Sequence, residues 1–128
     1  MALLTNSFGS FCGGTLIASQ WVLTAGHCMF KGTQPHTADD LQVILGEHDI
    51  ASSSESQIPR KAVNVSKIIT HPGFSPANLN NDIALLKLSE EVDINTYTPS
   101  CIAMASDNFE GKKAWVYGNK VSILNKCL

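Results

Sequence analysis

The sequence predicts an all-β fold of the barrel or sandwich type. Three observations lead there. Short runs rich in β-branched, aromatic and leucine residues recur along the chain. Turn-forming residues punctuate them. No window of about 12 residues or more keeps a helical period.

The runs are Phe11 to Ala18, Trp21 to Thr24, Leu41 to Leu45, Val63 to Thr70 and Ile83 to Leu88. Gly13-Gly14, Gly32, Pro35, Gly46, Pro59, Pro72-Gly73, Pro76 and Asn78 to Asn81 supply the turn chemistry. Ala25 to Met29 has room for one short helical turn. Ser52-Ser53-Ser54 reads as a loop. Glu90 to Asn108 is polar, contains Pro99 and reads as a linker. Beyond it stands one more strand candidate, Ala114 to Tyr117, with a tail, Asn119 to Leu128, too short to build a core around it. The expected organisation is a barrel over 1–90, a linker over 91–111, and a strand-bearing start of a second unit over 112–128. The chain is expected to stop inside a larger fold.

The 128 residues are 44% apolar and 16% charged, with a formal charge of −2. Such a chain can bury a core and lacks the low hydrophobicity and high charge of a disordered segment. No basic excess marks a nucleic-acid partner or a polybasic membrane anchor. The longest apolar stretches fall far short of the ~20 residues that span a bilayer. Met1 to Asn6 has neither a positive charge nor the apolar segment of a secretory signal.

The chemistry concentrates in Phe11-Cys12-Gly13-Gly14-Thr15-Leu16-Ile17-Ala18-Ser19-Gln20-Trp21-Val22-Leu23-Thr24-Ala25-Gly26-His27-Cys28. Two cysteines bracket a strand, a turn, a second strand and a histidine. A bridge between Cys12 and Cys28 would pin the loop that bears His27 and stabilise by roughly 3 kcal/mol. Buried thiols and metal ligands are the other readings of the two cysteines. The absence of a Cys-x-x-Cys pair and the scatter of His36, His48 and His71 speak against zinc. A bridge implies an oxidising compartment. Histidine suits proton transfer because its ordinary pKa of about 6.5 lets it take and return a proton near neutrality.

Thr24-Ala25-Gly26-His27-Cys28, preceded by Cys12-Gly13-Gly14-Thr15-Leu16-Ile17, resembles the active-site histidine signature of the chymotrypsin and trypsin family. The family usually carries alanine where Gly26 stands. Val43 to Ile50, Ile68 to Phe74 and Asn81-Asp82-Ile83-Ala84-Leu85-Leu86-Lys87-Leu88 resemble further family segments in the same order, the last being its aspartate signature.

The resemblance implies a six-stranded antiparallel Greek-key barrel, the first of the family's two, followed by one strand of the second. It implies a secreted serine-type endopeptidase acting on protein or peptide substrates by an acyl-enzyme route. His27 would be the general base and then the general acid, and Asp82 would hold its tautomer. Ile83 to Leu86 would anchor the next strand in the core, and Leu79 would line the substrate cleft. Glu47, Asp49 and Glu55 fall in the loop that binds calcium in some members, although a solvated loop is the preferred reading and no cofactor is expected. Cys101 resembles a cysteine that often bridges to a propeptide or light chain, and pairing with Cys127 is an alternative.

The family's Gly-Asp-Ser-Gly-Gly nucleophile has no counterpart here. Ser89, Ser100, Ser106 and Ser122 follow Asp82, and none is flanked by glycine. The 128 residues by themselves are therefore expected to be catalytically inactive. A non-catalytic homologue acting as a binding module, or an incomplete gene product, are the alternatives. Asn64-Val65-Ser66 is an N-glycosylation sequon. Its place in an expected strand counts against its use.

Overall fold

The computed structural model describes residues 1–46, 58–103, 106 and 108–113. Six strands close into an antiparallel barrel: β1 (Ala2–Asn6), β2 (Gly9–Ala18), β3 (Trp21–Thr24), β6 (Gln42–Leu45), β7 (Lys61–Thr70) and β8 (Ala84–Leu88). Around the barrel they run β1-β2-β3-β8-β7-β6, so β3 neighbours the last strand rather than the next. That order is the expected Greek-key arrangement. A small hairpin, β4 (Phe30–Lys31) with β5 (Gln34–Pro35), lies outside the ring.

Alternation explains which face turns inward. Val63 and Val65 are buried while Ala62, Asn64 and Ser66 are exposed; Ala84, Leu86 and Leu88 are buried on β8. Successive strand side chains point to opposite faces, so each strand feeds the interior with every second residue. Leu4, Val22, Val43, Val63, Leu86 and Leu88 form the centre of the core. Leu86 lies opposite Val22 on one side and Ile68 on the other.

The structure changes some local expectations. Gly13-Gly14 is not a turn but part of β2. A Cβ on Gly14 would come within 2.8 Å of Val22 Cγ1 and 3.1 Å of Leu4 Cδ1, so the missing side chain lets β2 lie close against the core. Pro35 belongs to the small hairpin rather than to a loop. Ile83 does not enter the core; it is 43% exposed, and β8 starts one residue later. The segment expected as a linker carries no strand among the described residues, yet it is tied to the barrel. The Val92 amide donates to Ser19 O, the Ser100 amide to Leu16 O, and the Tyr97 hydroxyl to Pro59 O. Ala114 to Tyr117 and Cys127 lie outside the described residues. Among the described residues no helix is long and apolar enough to cross a membrane.

Candidate active site

The barrel's topology brings His27 and Asp82 together across 55 positions of sequence. β3 and β8 pair with Thr24 opposite Ala84. His27 stands three residues beyond Thr24, and Asp82 stands two before Ala84, so both leave the barrel at the same end. His27 sits in a short 3-10 helix, Gly26–Met29, whose Cys28 and Met29 are buried. That anchoring fixes the backbone while the His27 side chain stays 55% exposed.

Cys12 and Cys28 form a disulfide, with Cα atoms 6.2 Å apart. The bridge fastens the helix carrying His27 to β2. Thr24, just upstream, is buried and donates its hydroxyl to Gly13 O at 2.8 Å. Sulfur atoms of both cysteines lie within 4.8 Å of a His27 ring nitrogen. Bonded to each other, they offer no thiolate, and a thiolate is what a metal would need.

Asp82 holds His27 at two points. Its Oδ1 accepts the His27 backbone amide at 2.7 Å, and its Oδ2 lies 2.8 Å from His27 Nδ1. Burial pushes the Asp82 carboxyl up, but hydrogen bonds from the His27 ring, the His27 amide and the Gly26 amide outweigh it. The net result lies below the ordinary carboxylate value, so Asp82 is ionised near neutrality. An ionised carboxylate can only accept, so Nδ1 carries the proton and Nε2 is the basic nitrogen. Nε2 lies 3.6 Å from Cys28 Sγ. Among the described residues no serine hydroxyl bonds to it.

The turn that presents Asp82 is itself constrained. Asn81 has φ +53° and Leu79 φ +57°. Left-handed backbone costs a leucine on the order of 1–2 kcal/mol. A bridge between Ser75 and Asn80 encloses Leu79, and Asn81 Nδ2 donates to Gly73 O at 2.9 Å. Leu79, expected in the cleft, stands 54% exposed three residues before Asp82. Glu47, Asp49 and Glu55, the calcium candidates, lie outside the described residues. Cys101 is an exposed free thiol.

Two further contributors complete the hold on His27 and Asp82. The amides of His27 and Gly26 grip Asp82 through the backbone, which any residue type supplies. Phe74 packs over Gly26: a Cβ there would lie 3.0 Å from Phe74 Cδ2 and 3.3 Å from Asp82 Oδ1. The departure of Gly26 from the family's usual alanine is the signal that points to this contact.

Comparison with known proteins gives one family. The trypsin family model matches residues 1–120. Trypsin I-P1 of Gallus gallus is 44% identical over 92 residues, which cover 72% of this chain and 33% of that protein. Putative trypsin-6 of Homo sapiens is 38% identical over 119 residues, covering 91% of this chain and 44% of that protein. Serine protease 1 of Homo sapiens is 38% identical over 113 residues, covering 88% and 41%. The chain thus spans a third to less than half of the length of these relatives. With the barrel closed in the expected order and the family model covering nearly all of it, the chain belongs to the trypsin family of serine proteases.

Proposed function

We propose that this chain supplies the proton-transfer half of a serine endopeptidase acting on protein or peptide substrates outside the cell. The observation that supports it most is Asp82 bonding both the amide and Nδ1 of His27. Held in that tautomer, the imidazole leaves Nε2 unprotonated and able to accept a proton. A serine hydroxyl placed there would lose its proton to Nε2 as its oxygen attacks the substrate carbonyl. The imidazolium formed is stabilised by the Asp82 carboxylate and returns the proton to the leaving amine. The serine and the oxyanion-binding amides come from residues beyond these 128. Proton transfer of this kind uses side chains alone and calls for no cofactor. Oxidised Cys12 and Cys28 agree with an extracellular setting.

A fusion in which residues 1–113 replace the matching part of the chicken relative, with everything else of that relative kept and its N-terminus activated, tests the reading. The fusion is expected to cleave a chromogenic peptide and to be labelled by a fluorophosphonate. The isolated 128 residues should do neither. His27→Ala and Asp82→Asn should each lower kcat of the fusion by roughly 10³–10⁴, a magnitude taken from the family's template triad. An active fusion indifferent to both substitutions would sink the proposal.

A further inference from the structure

We propose that Asn64 carries an N-linked glycan on the outer wall of the barrel. Asn64-Val65-Ser66 is the chain's single Asn-x-Ser/Thr sequence with x other than proline. A strand position argues against such a site only when the side chain points inward, and here it does not. Val63 and Val65 face the core, so the alternation of β7 turns Asn64 to solvent, where it is exposed. The ladder between β7 and β8 is irregular just beyond, between Val65 and Lys67, and both Ser66 and Lys67 are exposed. That bulge leaves the outer surface open on the C-terminal side of Asn64.

The amide is also oriented correctly. Asn64 lies opposite Gln42 on β6, and its Oδ1 accepts Gln42 Nε2 at 2.8 Å. In a planar carboxamide this turns Nδ2 away from Gln42. N-glycosylation modifies Nδ2 and leaves both Oδ1 and one N–H in place, so the cross-strand pair survives. The Ser66 hydroxyl, which the transfer requires, donates to Lys87 O and Leu88 O, both at 3.1 Å. The sequon is therefore read on the extended chain, before β7 pairs with β8.

The donor is an oligosaccharide linked to a lipid pyrophosphate. The C1–oxygen bond to the pyrophosphate breaks with its electron pair going to that oxygen, the Nδ2–C1 bond forms, Nδ2 gives up one proton to solvent and the lipid pyrophosphate leaves. The Cys12–Cys28 disulfide places the chain in the oxidising secretory route where such donors act. Asn64 lies six residues from Thr70, the β7 end beside Ala84 and Asp82. At about 3.3 Å per residue, that is roughly 20 Å of strand, so the glycan leaves the His27 end clear.

The experiment expresses the full 128 residues behind a cleavable secretory leader in cultured animal cells. Lysate and medium are both analysed, because transfer precedes folding and secretion. Treatment with a peptide N-glycosidase is expected to remove one gel-mobility shift and to convert residue 64 to aspartate in the peptide map. Asn64→Gln should abolish the shift, while Ser66→Thr, which keeps the hydroxyl, should preserve or raise occupancy. An unshifted chain in both fractions overturns the proposal, whether or not Cys12 and Cys28 are joined. A shift that persists in Asn64→Gln overturns it as well.

Discussion

Gly26 shows how one missing methyl shapes the candidate site. Replacing glycine by alanine at a compatible backbone position usually gains about 0.4–1 kcal/mol by restricting the unfolded chain. Overpacking a filled site costs about 1–3 kcal/mol. A Cβ at Gly26 would press on the Phe74 ring at 3.0 Å and on Asp82 Oδ1 at 3.3 Å, so the packing cost should win. Gly26→Ala is expected to lose about 1 kcal/mol in a urea titration. Phe74→Leu in the same chain should recover most of that, giving a coupling of at least about 0.5 kcal/mol in a double-mutant cycle. Additive losses would show that the ring and the glycine do not compete. The Asp82 carboxyl lies below its ordinary value in the folded state. Its contribution to stability is therefore whole above the unfolded value, about 3.9, and is lost as pH falls through the lower folded value. Melting temperatures followed from pH 5 to pH 2 should fall less steeply in Asp82→Asn than in the parent. His27 and Asp82 were legible because each sits in a run of characteristic residues. The amides that grip Asp82 were not, because backbone donors leave no pattern; Phe74 and Gly26 each stand in a readable segment, but their contact is made only when the chain folds.

Among the elements, β2 and the Gly26–Met29 helix form one mechanical unit through the Cys12–Cys28 bridge. The bridge closes a sequence separation of 16. In the chain-entropy picture a loop of that size contributes about 3 kcal/mol. Replacing both cysteines by serine is expected to lower unfolding stability by about 2–4 kcal/mol, measured as the guanidinium midpoint at constant slope. Because the same bridge anchors the His27 backbone, the His27–Asp82 geometry should loosen too. A downfield Nδ1 proton resonance is expected in the parent and should broaden in the double serine variant. The strands themselves were readable where β-branched, aromatic and leucine residues cluster, as in Trp21–Thr24, found with those bounds. The β4–β5 hairpin, two residues to a strand, offers too few residues for such a signal. Gly13-Gly14 misled because glycine marks both a turn and a close approach of strands, and only packing against Leu4 and Val22 decides between them.

At the scale of the whole molecule, the barrel has one sealed face and one outer face that is not uniformly polar. Leu86 is fully buried, whereas Ile69 and Ile83 are 38% and 43% exposed. The His71 amide donates to Ile83 O, which continues the β7–β8 ladder, so Ile83 stands opposite His71 and diagonal to Ile69 on the same outer surface. Exposed apolar residues gathered in this way favour association. Two substitutions separate the faces. Leu86→Ala removes a side chain packed between β3 and β7 and should cost about 2–5 kcal/mol. Ile69→Lys touches only the outer surface and should change stability by no more than about 0.5 kcal/mol. Light scattering of the 128-residue chain should rise with concentration, and Ile69→Lys should flatten that rise while Leu86→Ala should not. If Ile69→Lys instead destabilised the chain as much as Leu86→Ala, the outer surface would be part of the core and the barrel would be packed from both sides.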